Sequence, residues 1–210
     1  MSKIVVSTFL SLDGVMQAPG GPGEDPSGGF DQEGWSVNYW DDRMGEIMGE
    51  SMGTPFDLLL GRKTYEIFAA YWPHVPDDQG GAPLNNATKY VVSTTLTTAD
   101  WPTSVLIGHD IVEHITRLKQ REGPDLQVHG SAQLLQTLIA HDLVDEYHLW
   151  IFPVLLGSGK RLFGESVVPA GLRLVDTKTS TTGVVIATYE RAGEINHGSF
   201  ALDQPTTVEV

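Results

Sequence analysis

The chain has 210 residues, a formal net charge of −14 at pH 7 and no cysteine, and 40% of its residues are hydrophobic. This length and composition suit one globular domain, whereas the acidic balance argues against a nucleic-acid or anionic-membrane surface. The lack of cysteine excludes disulfides, thiolate metal sites and a cysteine nucleophile. No apolar run approaches about 18 residues and the N-terminus is typical of a strand, so we expect a cytoplasmic protein that does not cross a membrane.

Hydrophobic periodicity in the first 121 residues predicts strands that alternate with helices. In chain order the elements are a strand at 4–10, a helix at 40–51, a strand at 56–60, a helix at 62–71, strands at 90–93 and 105–107, and a helix at 111–121. Residues 17–34 are rich in glycine and proline, and we expect a mobile loop there.

The remainder of the chain predicts one more strand–helix step, a further strand and a hairpin. In chain order these are a strand at 126–128, a helix from 132, an apolar strand at 149–156, and hairpin strands at 172–179 and 184–191. Pro153 within the apolar run is typical of an edge strand, so residues 143–163 would form a dimer face with the tail at 192–210. The pattern predicts one domain at 1–191, an α/β fold with a mostly parallel central sheet and an antiparallel C-terminal hairpin.

Three strand ends carry residues that suit phosphate groups. A Gly-Ser turn at 130–131 leads directly into a helix, whose free N–H groups and dipole favour an anion. Arg62 and Lys63 begin another helix, where cations oppose the dipole unless an anion joins them. Their alternative role is an ordinary solvated helix start. The hydroxyls at 93–94 follow a third strand and suit either a ribose phosphate or a turn cap.

Other polar and aromatic residues leave more than one interpretation open. The seven histidines show no metal-ligand spacing, so we predict no metal site. The Gly-Ser-Gly-Lys segment at 157–160 has the wrong spacing for a phosphate loop and predicts a tight turn. Four aromatic residues would suit walls for a flat heterocyclic substrate, with core packing as the alternative: Tyr39, Trp40, Trp150 and Phe152.

Five segments together carry a family resemblance. SLDG, FDLLLGRKTYE, YVVSTT, VHGSAQLL and FPVLLGSGKRLF occur in this order and at suitable separations. The set resembles the dihydrofolate reductase superfamily, especially the reductase domain of bifunctional riboflavin-biosynthesis deaminase-reductases, over about residues 3–191. This resemblance implies a three-layer α/β fold with about eight strands, which binds NADPH across the carboxyl ends of the strands.

The resemblance also implies roles for residues that match the family's motifs. Those assigned to the cofactor are Gly14, Gly61, Arg62, Lys63, Thr64, Ser93, Thr94, His109, Gly130, Ser131, Ala132 and Gln133. Residues 61–64 and 130–133 would hold the phosphates, 93–94 the adenosine 2′-phosphate, and His109 the adenine. Ser131 replaces the second glycine that is usual in this turn, and a serine keeps such a turn if its φ is negative.

The resulting prediction is an NADPH-dependent reductase that transfers a hydride to a small heterocycle, either pterin-like or riboflavin-precursor-like. Asp13 is the first candidate for a polar group at the reacting centre and Asp42 is the second, while loop 17–34 would act as a lid over the nicotinamide. We expect a homodimer. The alternative function is that of a non-catalytic NADP-binding protein that keeps the fold without the activity.

Overall fold

The computed structural model describes residues 1–164 and 167–200, and this part of the chain contains eight strands and five α-helices. The strands are β1 (Ile4–Ser11), β2 (Phe56–Gly61), β3 (Lys89–Val92), β4 (Ser104–Ile107), β5 (Asp125–Val128), β6 (Glu146–Phe152), β7 (Leu172–Thr179) and β8 (Val185–Arg191). The helices are α1 (Asp42–Ser51), α2 (Arg62–Tyr71), α3 (Gly81–Asn86), α4 (Ile111–Gln120) and α5 (Ala132–Ala140).

All eight strands form one sheet in the order β4-β3-β2-β5-β1-β6-β8-β7. The strands from β4 to β6 in this order are all parallel to one another, because each strand returns through a crossover connection. Strand β8 is antiparallel to both of its neighbours, β6 and β7. The predicted α/β class, with its mostly parallel sheet and antiparallel C-terminal hairpin, is confirmed.

Helices cover both faces of the sheet and complete the predicted three layers. On one face α4 and α5 pack on the strands through Ile115 and Leu135. On the other face α2 and α3 form one apolar cluster, and α1 forms another through Met44 and Ile47. Strand β2 is buried at every position, with Leu59 facing the first layer and its neighbours facing the second. A strand buried on both faces explains the unbroken apolar run of the sequence.

The helix predicted at 40–51 begins two residues later than expected. Asp41 has an extended conformation, and its carboxylate accepts a hydrogen bond from the backbone N–H of Met44 at 2.8 Å. It therefore acts as the N-cap, which satisfies one of the free donors at the helix start. Trp40 consequently lies outside the helix, in extended backbone.

The edge-strand interpretation of residues 143–163 is wrong. Strand β6 lies inside the sheet, where it pairs with β1 on one side and β8 on the other. Pro153 follows the last residue of the strand, so its missing N–H interrupts no ladder. The two outer strands of the sheet are β4 and β7. The homodimer stays a prediction, but this segment gives it no support.

The C-terminal tail lies only partly within the described residues. Residues 192–200 form neither helix nor strand and are exposed, and the first of them are joined to Gly171 by hydrogen bonds of 2.8 Å. The predicted remainder of the tail, residues 201–210, lies outside the described residues. The boundary at residue 191 therefore stays a prediction. Among the helices that the structure describes, none is long and apolar enough to cross a membrane.

Candidate functional site

The predicted cofactor residues follow the carboxyl ends of five neighbouring parallel strands. His109 follows β4, residues 93–94 follow β3, residues 61–64 join β2 to α2, residues 130–133 join β5 to α5, and Gly14 follows β1. In parallel sheets covered by helices, ligands bind in the crevice outside this edge. The sheet order therefore brings segments that are far apart in the sequence to one edge of the molecule.

The starts of α2 and α5 are in direct contact. Ser131 Oγ donates a hydrogen bond to Thr64 Oγ1 at 2.6 Å, and Thr64 is buried. A Cβ atom placed on Gly61 would lie 2.6 Å from both Cβ and Oγ of Ser131, so the close approach requires glycine. Neither helix start has a side-chain N-cap hydrogen bond. Two uncapped helix N-termini, each with free N–H groups, thus meet at one place.

Ser131 has a left-handed backbone, so the condition of a negative φ for a serine in this turn is not met. Its φ is +71° and its ψ is 84°, and the preceding Gly130 has a φ of +111°. This conformation costs a residue with a Cβ about 1–2 kcal/mol. The hydrogen bond from the Ser131 hydroxyl to Thr64 offsets part of that cost.

The two cations at the start of α2 have different partners. Arg62 forms an ion pair of 3.1 Å with Glu66 on the same helix, and both side chains are largely exposed. Lys63 instead reaches Asp25 in loop 17–34, at 3.5 Å. An exposed intrahelical pair contributes little to stability. Arg62 can therefore leave Glu66 for an incoming anion at small cost.

The remaining predicted cofactor residues differ in their exposure. Ser93 is buried, and its Oγ accepts hydrogen bonds from the N–H groups of residues 95 and 96, so it caps the turn after β3. Thr94 and Gln133 are exposed, whereas Ala132 is half-buried. His109 is exposed, and its Nδ1 lies 3.1 Å from the carboxylate of Asp110. Thr94, Gln133 and His109 are thus accessible from solvent at the strand edge.

Loop 17–34 makes several contacts with the rest of the protein, and its mobility stays a prediction. Val15, Ala18 and Phe30 form a small apolar cluster with Trp35 and Leu156 packed against it. Gln17 carries further contacts, since its Oε1 accepts from the N–H of residue 160 and its backbone oxygen accepts from Trp35 Nε1. The loop is therefore tied to residues 157–160, which form the predicted turn.

Asp13 joins the end of β1 to that turn. Its carboxylate accepts hydrogen bonds from Ser11 Oγ at 2.7 Å, Leu156 N at 3.1 Å and Gly157 N at 2.8 Å. These hydrogen bonds hold the pKa of Asp13 well below its usual range, and the bond from Ser11 has the largest effect. An ionised carboxylate with these partners anchors the turn and has no proton to give. Asp42, the second candidate, is exposed in the first turn of α1.

We expect Asp13→Asn to lower the free energy of unfolding by roughly 1–2 kcal/mol, because the amide keeps one acceptor oxygen and sets an N–H₂ group against the donors of the turn. The depressed pKa means that the wild-type advantage exists at neutral pH and is lost as the pH falls below about 4. Urea unfolding of both proteins at neutral pH and near pH 3 measures this. A difference that stays constant over this range would contradict the role of the ionised carboxylate.

The four predicted aromatic residues belong to one cluster. Phe152 is fully buried, and its ring centroid lies 5.3 Å from that of Trp35 and 5.9 Å from that of Tyr39. Trp150 is also buried and lies parallel to Trp40, with ring centroids 6.2 Å apart. Core packing thus describes Trp150 and Phe152. Trp40 is the one residue of these four that is exposed, at 46% of its surface.

Sequence reasoning missed a polar row beneath this cluster. Ser7, His148 and Thr188 are paired in register across β1, β6 and β8, and they line a cavity of about 240 Å³ under the end of α1. They come from three strands that are far apart in the sequence, so only the register shows that they meet. Burial, with the nearby His148, lowers the pKa of His129 to about 4. No cluster of metal-ligating side chains occurs among residues 1–164 and 167–200.

The sheet order and the joined helix starts at its carboxyl edge define a dihydrofolate-reductase-like α/β protein. The sequence profile of the RibD C-terminal domain matches residues 2–186, and the chain belongs to that family. The Bacillus subtilis (strain 168) uncharacterized protein YyaP is 30% identical over 199 residues, which are 91% of this chain and 96% of that protein.

Two solved structures share the fold at low sequence identity. A putative riboflavin biosynthesis protein from Shewanella sp. PV-4 has a TM-score of 0.63 at 21% identity, covering 90% of this chain and 99% of that one. Dihydrofolate reductase from Enterococcus faecalis, solved with NADP(H), has a TM-score of 0.56 at 17% identity, covering 90% and 96%. These neighbours confirm the dihydrofolate-reductase-like fold that the resemblance implies.

Proposed function

We propose that this protein is an NADPH-dependent reductase that binds its cofactor across the carboxyl edge of the sheet. The observation that carries the proposal is the contact between the uncapped starts of α2 and α5, joined by Ser131 and Thr64. Membership of the RibD C-terminal domain family and the NADP(H) bound to the similar E. faecalis enzyme support it.

The residues present fit an anionic dinucleotide. Two helix N-termini offer backbone N–H groups, and Arg62 and Lys63 supply positive charge beside them. Thr64 and Ser131 would orient the phosphates, and the exposed Thr94 and His109 would meet the adenosine end. Loop 17–34 and the turn anchored by Asp13 would exclude water from the reacting end. NADPH, when bound, supplies the hydride.

The proposed substrate is a small heterocycle, pterin-like or riboflavin-precursor-like. Trp40 is the aromatic residue of the predicted set whose ring is open to a ligand, since Trp150 and Phe152 are buried. Tyr39, which is half-buried on Phe152, would border the same space. A cytoplasmic location and a homodimer belong to the same proposal.

One observation favours the second candidate, a non-catalytic NADP-binding protein. The carboxylate of Asp13 is fully engaged in holding a turn, and buried aromatic rings occupy the space on the α1 face of the sheet. Such a protein would bind NADPH without oxidising it in the presence of any heterocycle. NADPH oxidation with a panel of pterins and flavin precursors, followed by absorbance, separates the two functions.

We expect saturating NADPH to stabilise the protein against thermal unfolding, by about 2.7 kcal/mol at 100 times its Kd. Arg62→Ala should weaken NADPH about tenfold while the unliganded protein unfolds at nearly the same temperature, because the Arg62–Glu66 pair is exposed. Titration calorimetry and thermal unfolding measure the two effects.

The matched control is Arg117→Ala. Arg117 forms an exposed pair of 3.1 Å with Glu113 on α4, four residues apart as in the Arg62–Glu66 pair, but away from the strand edge. It should leave NADPH binding unchanged. No stabilisation by NADPH, or equal losses in the two variants, would contradict the proposed cofactor site.

A further inference from the structure

Two lysines that are distant in the sequence converge on one carboxylate. Lys63 Nζ lies 3.5 Å from Asp25 Oδ1, and Lys160 Nζ forms an ion pair with Oδ2 of the same group. Lys63 belongs to the first turn of α2, and Lys160 to the turn that follows β6. Asp25 comes from loop 17–34 and is only 13% exposed, whereas the lysines are 53% and 39% exposed.

Several contacts fix this carboxylate in place. Ser27 Oγ donates to Asp25 Oδ1 at 2.6 Å, and Lys160 Nζ donates to Ser27 Oγ at 2.8 Å. Gln17 Nε2 donates to the backbone oxygens of Asp25 and Ser27 at 2.8 and 2.9 Å. Burial opposes ionisation, but the bonds from Lys160 and Ser27 hold the pKa of Asp25 at about 2. Asp25 is therefore a fixed anion at neutral pH.

The positive charges of Lys63 and Lys160 favour an anion between them, and Asp25 is the anion present there. Cations at the start of a helix oppose its dipole, and an anion placed among them relieves the conflict. Asp25 provides that anion from within the chain. It does not cap α2, because the helix start has no side-chain N-cap hydrogen bond. A phosphate group carries more charge than one carboxylate and has more acceptor oxygens, so it can pair with both lysines.

We propose that Lys63 and Lys160 form a phosphate site at the start of α2, that Asp25 is its internal occupant, and that the phosphate of an anionic ligand displaces Asp25. The inference extends the proposed function, because the pyrophosphate of a dinucleotide has this chemistry. It adds Lys160, which the family motifs leave as part of a turn. It also makes the contact of loop 17–34 with α2 dependent on the ligand.

Several hydrogen bonds within loop 17–34 do not depend on the carboxylate of Asp25. Glu33 accepts hydrogen bonds from the N–H groups of Gly23 and Asp25, each at 2.8 Å, and Glu24 accepts one from Gly20. These bonds lie within the loop, so displacement of Asp25 does not break them. Asp25 contacts both lysines, and Ser27 and Gln17 of the same loop also contact Lys160.

The first test compares Asp25→Asn with Asp31→Asn, using inorganic pyrophosphate and titration calorimetry. Asp31 is exposed in the same loop, and its carboxylate accepts a hydrogen bond only from neighbouring Gln32 among the described residues. Both substitutions remove one negative charge. We expect Asp25→Asn to bind pyrophosphate roughly five to ten times more tightly than the wild type, and Asp31→Asn to match the wild type.

Adding Lys63→Met or Lys160→Met to Asp25→Asn should each abolish the gain, since both lysines contact the anion. Equal affinity of the Asp25→Asn and Asp31→Asn variants would overturn the proposal, because bulk charge would then explain the effect. A gain that survives Lys160→Met would also overturn it, since Lys160 would lie outside the site.

The wild-type protein gives an independent test that does not depend on the folding of any variant. Pyrophosphate should protect both Lys63 and Lys160 from acetylation at least threefold, as measured by mass spectrometry, with Lys178 as an unprotected reference. Protection of neither lysine, or of Lys63 alone, would overturn the proposal. Protection of both without any binding of NADPH would leave the phosphate site standing and contradict the proposed function instead.

Discussion

Gly61→Ala is expected to lower the free energy of unfolding by about 2–3 kcal/mol, although it adds a single methyl group. The new Cβ would lie 2.6 Å from Cβ and Oγ of Ser131. Side-chain rotation cannot relieve a contact with a Cβ atom, so α2 and α5 must move apart. Ser131 has little freedom to adjust, because its φ of +71° already lies in a sparsely populated region. Urea unfolding of the purified variant measures the loss.

Ser131→Gly should rescue most of that loss in the double variant. Glycine removes both atoms that the new methyl group would meet, and the next contact is Leu134 Cβ at an ordinary 3.5 Å. Alone, Ser131→Gly should be nearly neutral, since it relieves the left-handed strain but loses the bond to Thr64. The double-mutant cycle should therefore give a coupling energy of about 2 kcal/mol.

Gly45→Ala is the matched control for the chemical change. Gly45 lies within α1, and a Cβ atom there meets nothing within 4 Å. Alanine in an exposed helix interior should stabilise by about 0.5–1 kcal/mol, the opposite sign to Gly61→Ala. Additive effects of Gly61→Ala and Ser131→Gly would show that the two helix starts are not in contact, and the candidate site would lose its main geometric support.

The strands could be predicted because their burial leaves a strong mark on the sequence. Residues 58–60 are three leucines in a strand covered on both faces, and parallel strands of that kind are continuously apolar. Once these strands are known to be parallel, their carboxyl ends must share one edge. The location of the candidate residues at that edge thus follows from the parallel fold. The order of the strands along the sheet is known only from the structure.

Contacts between loops could not be predicted in the same way. The Asp25–Lys160 pair joins residues 135 positions apart, and no periodicity relates them. The sequence suggests Asp13 as a group near the reacting centre. It gives no sign that the backbone N–H groups of residues 156 and 157 bind the Asp13 carboxylate. Likewise, an aromatic residue in a strand suits a ligand wall and a core equally, and only burial distinguishes Trp150 from Trp40.

Lys89 shows a related failure of sequence reasoning, since a lysine at a strand start is usually solvated. Its side chain is fully buried at the beginning of β3. The ammonium group donates to Pro102 O and Thr103 Oγ1, each at 3.1 Å, and lies 4.3 Å from the ring centroid of Trp101. Among the ion pairs of residues 1–164 and 167–200, none includes Lys89. Burial without a carboxylate lowers its pKa from 10.5 to about 8.

The protein should therefore become more stable as the pH rises from about 8 to about 10. In this range the folded protein releases the Lys89 proton while the unfolded chain keeps it, so the unfolded state binds more protons and stability increases with pH. The oxygen ligands and the aromatic ring partly replace water around the buried ammonium group, which limits the effect. Discounted for this screening, we expect a gain of roughly 1–2 kcal/mol.

Urea unfolding of the wild type and of Lys89→Met at intervals from about pH 7.5 to pH 10 checks this expectation. The variant should show a flat profile, because methionine fills a similar volume without a titrating group. Lys178→Met, which removes a partly exposed lysine paired with Glu50, should keep the wild-type rise. Burial raises the pKa of Tyr147 from 10.0 to about 12, so its opposite effect on stability begins only near the top of this range, as the pH approaches 10. A rise that persists in Lys89→Met would mean that another group titrates, and that the buried ammonium group does not limit stability at neutral pH.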